Sequence, residues 1–241
     1  MTPRFRIIIP TQKTKADFEK TTTYLCLSEI MKTYDNCDLL VASENRIGLS
    51  QLYQTAIEDA EENVDYILFM HDDLEIHDHF MFKKLLKAHE QYDIVGLAGA
   101  TSQNYSKDGP TVWHLCREKP EHARGIVGHY IPKGFNGVTE AHVNSAYFGP
   151  TPGRVVVIDG LFMSIKLSKI LPGRALFDKM FTFHHYDLAM CCNAIDDHKM
   201  TIGVWPIYVV HHGLGEFAHD PIWQDHNKKF KAKFGAYRRS V

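Results

Sequence analysis

Residues 65–75 read DYILFMHDDLE, and no other stretch constrains the fold as tightly. Ile67, Leu68, Phe69 and Met70 form an unbroken apolar run, the pattern of a strand buried on both faces. The run ends abruptly in His71, Asp72 and Asp73. In an open α/β sheet, ligands bind just beyond the carboxyl ends of the strands. Two adjacent carboxylates there repel each other unless a cation joins them, and their hard oxygens suit Mg2+ or Mn2+. The chain reads as built to hold a metal, and with it a phosphate ligand, at a strand end. The plainer reading is a polar exit into a turn, with Asp78 capping the helix that follows.

A chain of 241 residues suits one domain of substantial size. A 44% hydrophobic and 23% charged composition is that of a soluble globular protein. The net charge of -2 carries no nucleic-acid footprint. Five cysteines occur without a CxxC pair, which argues against a zinc ribbon or a disulfide framework. The apolar start, FRIIIP, is too short for a signal peptide, and no segment reaches membrane-spanning length. The default expectation is a soluble, cytoplasmic chain with no transmembrane segment; a homo-oligomer is left open.

The first hundred residues alternate between two periods. Strands are predicted at 5–9, 38–42, 66–70 and 93–98, with helices at 15–33, 50–62 and 78–91 between them. That order implies a parallel sheet with right-handed crossovers. The segment 99–153 has no sustained period and reads as a functional loop or an insertion with short strands. A buried strand is predicted at 155–158, a strand turning into a short helix at 161–170, a helix at 186–198 and a last strand at 202–210. The tail 225–239 is basic, most simply a solvated face. The division that follows is one domain, 1–241, with a nucleotide-binding half at 1–100 and an acceptor-binding, catalytic half at 101–241.

Three further clusters carry chemistry. In VIDGLFMSIK, Asp159 and Gly160 follow a buried strand, and Gly160 permits close backbone approach; a simple turn is the alternative. In FHHYD, Asp187 opens a helix. It serves there either as a structural carboxylate favoured by the helix dipole or as a general base. In YVVHHGLGE, His211 and His212 close an apolar run, and neutral histidine is the commonest metal ligand. No Walker A, GxGxxG, GxSxG or HExxH sequence is present, which argues against a P-loop NTPase, a typical dinucleotide dehydrogenase, an α/β-hydrolase or a zincin.

Together the segments FRIIIPT, DYILFMHDDLEI, IDGLFMSIK, LFDKMFTFHHYDLAMCCNA and VVHHGLGEF resemble a GT-A glycosyltransferase of the family 2 type. The similarity is to the short glycosyltransferase-like domain of streptomycin-biosynthesis type. The resemblance implies an α/β fold, a single GT-A-like (nucleotide-diphospho-sugar transferase) domain whose central, mostly parallel mixed sheet is flanked by helices. It implies an inverting enzyme that moves a sugar from a nucleotide-diphosphate donor, a UDP-sugar, to an acceptor hydroxyl with Mn2+ or Mg2+. The family's DxD motif falls at 71–73, with His71 in its first position. Asp73 matches the metal-holding carboxylate and Asp72 assists. His211 matches the late histidine ligand, with His212 its competitor. Asp187 matches the catalytic base. Pro10 and Thr11 would line the nucleotide, Glu44 or Asn45 would contact base or ribose, and Asp159 and Gly160 would face the donor. Acceptor recognition is expected in 101–153, with Trp113, Tyr130 and Tyr147. The competing readings are a non-catalytic nucleotide- or sugar-binding module of the same fold, a nucleotidyltransferase and a His/Asp metal hydrolase.

Overall fold

The computed structural model describes residues 2–103, 119–213, 220–235 and 239–241. Strand β1 (Phe5–Pro10) lies inside a seven-stranded sheet, between β2 (Cys37–Ala42) and β3 (Tyr66–Met70), and runs parallel to both. Beyond β3 come β11 (Phe162–Lys166), β5 (Ile94–Gly96), β12 (Ile202–Val204) and β9 (Gly153–Val155). Strand β11 is antiparallel to β3 and β5, while β5 and β12 are parallel, so the central sheet is mixed.

The apolar run at 66–70 has the cause its pattern predicts. Ile67 and Phe69 face one core, and Tyr66, Leu68 and Met70 face the other. The first core is closed by helices α3 (Leu49–Glu58), α5 (Tyr186–Asp196) and α6 (Pro221–Phe234). The second is closed by α2 (Thr22–Met31) and α4 (Met81–His89) together with the smaller sheet. Truncating a fully buried aromatic such as Phe69 costs about 3–5 kcal/mol in a core of this kind.

The smaller sheet runs β10 (Val157–Ile158), β6 (Ala98–Ala100), β7 (Ala123–Ile131), β13 (Val209–His211) and β4 (Leu74–Ile76), with β8 (His142–Gly149) added to β7. The chain crosses between the sheets repeatedly, and three of the crossings divide a strand expected to be continuous. Residues 93–98 divide at Leu97 into β5 and β6, and 155–158 divide at Val156 into β9 and β10. Residues 202–210 divide around Trp205 and Pro206 into β12 and β13. Proline has no N–H to give to a ladder, so pairing stops there.

Other boundaries also move. The helix expected at 15–33 is two helices, α1 (Lys15–Phe18) and α2, because Thr21 caps the second by accepting from the Tyr24 N–H. Helix α4 begins at Met81 rather than Asp78, whose buried carboxylate accepts from Lys84 Nζ at 2.5 Å and from the Phe80 N–H. The segment without a period contains β7 and β8, the longest strands among the described residues. Much of β8 is exposed, so no apolar alternation marks it. The basic residues of α6 lie on a solvated face, where Lys229 pairs with Asp225 and Lys233 with Asp178. No helix among the described residues is long and apolar enough to cross a membrane.

Candidate active site

The seam between the sheets gathers the chemistry. His71, Asp72 and Asp73 form the connection from β3 to β4, and residues 159–161 form the connection from β10 to β11. These connections touch, because the His71 N–H donates to the Leu161 carbonyl at 3.0 Å. Strand β4 pairs antiparallel with β13, which sets His211 opposite Leu74 and therefore beside Asp73. The His211 ring reaches back to it, with Nε2 3.4 Å from Asp73 Oδ1. His71 Nδ1 lies 3.9 Å from the same oxygen. Ligand-type atoms of His71, Asp73 and His211 all fall within 4.8 Å of one another.

This donor set fits a divalent transition metal. Asp73 Oδ1 is buried and meets no hydrogen-bond donor in good geometry. Leaving such an oxygen unpartnered costs about 1–3 kcal/mol or more, a cost that a cation between the three side chains removes. Burial raises the Asp73 carboxyl, but His211 and His71 beside it outweigh burial and hold it below the ordinary carboxylate value. Burial opposes the charge on His211, yet Asp73 and Asp159 leave its pKa above the ordinary imidazole value. Burial keeps His71 below that value. Gly213 is required for this closeness: a Cβ there would lie 2.7 Å from His211 Nε2 and 3.1 Å from Asp73 Oδ2.

Asp72 and His212 turn elsewhere. Asp72 Oδ2 accepts from Thr11 Oγ1 at 2.5 Å and from Lys13 Nζ at 3.0 Å, which joins the acidic connection to the loop after β1. That loop is laced to the loop after β2, with the Asn45 N–H donating to the Thr11 carbonyl at 2.8 Å and the Glu44 N–H to the Lys13 carbonyl at 2.9 Å. Thr11, Glu44 and Asn45 thus lie in two paired loops, with Pro10 at the end of β1 beside them. The His212 ring pairs with Glu75 Oε1 at 2.7 Å and stacks on Tyr130 at 4.7 Å, outside the three-residue cluster.

Asp187 stands in the first turn of α5. Its Oδ2 accepts from the Gly160 N–H at 3.0 Å and its Oδ1 from the Leu188 N–H at 2.9 Å. Burial, reinforced by the negative charge of Asp159, pushes its pKa up to about 7. A carboxylate tuned to that range takes a proton well at neutral pH. The neighbouring Tyr186 reaches the three-residue cluster, its hydroxyl 2.9 Å from His71 Nε2.

The sequence model of the Glycosyltransferase like family matches residues 7–238. The chain belongs to this family. The resemblance carried by the five sequence segments therefore stands for a glycosyltransferase-like α/β enzyme. No curated protein matches the chain. Among solved structures, A197 from STIV is similar at 14% identity and TM-score 0.46, over 84% of this chain and 82% of that one. TarS of S. aureus is similar at 12% identity and TM-score 0.45, over 87% of this chain and 37% of that one. GalNAc-T7, solved with UDP, GalNAc and Mn2+, is similar at 9% identity and TM-score 0.45, over 95% of this chain and 48% of that one.

One histidine beside this cluster went unseen in the sequence. His129 sits opposite His211 in the parallel β7–β13 register, with ring centroids 5.8 Å apart. Burial first, and His211 second, hold its pKa below the ordinary value. The only signal available was a histidine in a segment without periodicity. Of the aromatics expected at the acceptor, Tyr130 lies on β7 and Tyr147 on β8, and Trp113 lies outside the described residues.

Proposed function

We propose that this glycosyltransferase-like chain moves a sugar from a UDP-linked donor to an acceptor hydroxyl, with inversion and with a divalent metal. The observation that carries the proposal is the pairing of a metal-type cluster, His71, Asp73 and His211, with a near-neutral carboxylate, Asp187, at one seam of the fold. Two imidazole nitrogens in the donor set favour Mn2+ over Mg2+. A metal held there supplies Lewis-acid neutralisation of the leaving diphosphate.

The protein's own groups divide the rest of the work. Pro10, Thr11, Glu44 and Asn45 border the nucleotide, and Asp72 fixes Thr11 and Lys13 against it. Asp159 and Gly160 face the donor sugar. Asp187 accepts the acceptor's proton as the acceptor oxygen bonds to the anomeric carbon and the bond to the diphosphate breaks. Inversion requires base and leaving group on opposite faces of the sugar. In this reading residues 1–100 form the donor half and 101–241 the acceptor and catalytic half.

A thermal-shift panel of nucleotides and nucleotide sugars, with and without Mn2+, tests the donor class, because a ligand bound to the native state raises Tm. A UDP-sugar should give the largest shift, and only with metal. A panel in which nucleotide sugars shift nothing in either condition would overturn the proposal.

A further inference from the structure

The hydroxyl of Tyr186 lies 2.9 Å from His71 Nε2, while the other ring nitrogen, Nδ1, faces Asp73. A neutral imidazole carries one proton, and only the bare nitrogen can ligate. If Nδ1 is to meet a metal, the proton must sit on Nε2, which then donates a hydrogen bond to the phenol oxygen. We propose that Tyr186 is a positioning residue that fixes this tautomer of His71 and ties the metal ligand to the placement of Asp187. The inference rests on the metal-site reading given above.

The phenol is well placed to act this way. Tyr186 is 5% exposed, and its ring meets Tyr53 edge-on at 5.7 Å. Its hydroxyl occupies the space left by a missing side chain, because a Cβ on Gly160 would lie 2.2 Å from it. The same glycine donates its N–H to Asp187 Oδ2 at 3.0 Å. Gly160 therefore touches Tyr186 and Asp187, which are consecutive residues at the start of α5. A shift of the phenol displaces the metal ligand on one side and the carboxylate on the other. Partners that orient a ligating histidine through its second nitrogen are commonly worth about 10–100-fold in metal affinity.

Two measurements test this on the full chain. In the parent protein, the imidazole nitrogens of His71, assigned by nitrogen-15 NMR, should show the proton on Nε2. A proton on Nδ1 would overturn the proposal without any variant having to fold. Tyr186→Phe removes only the hydroxyl and should weaken Mn2+ binding by about tenfold or more, read as free Mn2+ by electron paramagnetic resonance without nucleotide. Parent binding with an unchanged variant affinity sinks the role of Tyr186 and leaves the metal site standing. A parent that binds no Mn2+ sinks both.

Discussion

Asp72 and Asp73 are neighbours in the chain and face different chemistry. The Asp72 carboxylate is held by Thr11 and Lys13 at 2.5 and 3.0 Å, whereas that of Asp73 lies 3.4 Å from His211. One acidic step thus ties the loop after β1 on one side to the end of β13 on the other. Substitution should separate the two: Asp73→Ala should abolish Mn2+-enhanced UDP binding, while Asp72→Ala should keep Mn2+ binding and weaken UDP. Isothermal calorimetry with and without Mn2+ checks this, and identical behaviour of the two variants would contradict the division.

Metal affinity should rise with pH. A protonated His211 cannot ligate, and its pKa lies above the ordinary imidazole value of about 6.5. Protons therefore compete with the metal below that raised value, and the competition ends above it. Mn2+ titrations from about pH 6 to about pH 9 should show affinity climbing and then levelling. A flat profile would mean that His211 is not a ligand.

Asp187 gives two pH signatures. In the proposed reaction transfer needs its ionised form, so kcat should fall as pH drops through about 7. Stability runs the other way: the folded chain keeps this proton up to about 7, whereas an unfolded carboxyl loses it near about 3.9. Between those values the native state binds more protons, so this residue lowers stability as pH rises across that window. Asp187→Asn should therefore bind donor and fail to transfer, and its Tm should fall less than the parent's as pH rises across that window. Parent-like turnover would place the base elsewhere.

Gly213 makes room for the close approach of His211 and Asp73. Gly213→Ala places a Cβ within 2.7 Å of the His211 ring, so the ring must shift. Mn2+ affinity should drop by about tenfold, with Tm changed little. Unaltered Mn2+ binding in calorimetry would show that the ring has slack.

Much of this arrangement was legible in the sequence where burial leaves a strong mark. The run at 66–70 is apolar throughout because both its faces are covered, and the polar residues that end it mark a strand's carboxyl end. The seam left no such mark. Residues 93–98, 155–158 and 202–210 are apolar on both sides of the point where the chain changes sheets, so hydrophobicity alone reads each as one strand. Strand β8 was hidden for the opposite reason, being exposed along most of its length. His129 becomes a neighbour of His211 only through the β7–β13 register, a long-range pairing that no local pattern encodes. The divergence of His211 from His212 follows the alternation of side chains along β13, whose phase is set by its pairing with β4.

The central claim is that His71, Asp73 and His211 share one metal that carries the donor's diphosphate. Anomalous diffraction at the manganese edge, from crystals soaked in UDP and Mn2+, tests it most directly. The account predicts one strong peak among these three side chains, in contact with the diphosphate. A well-occupied UDP with no peak there, or with the metal held elsewhere, would contradict it.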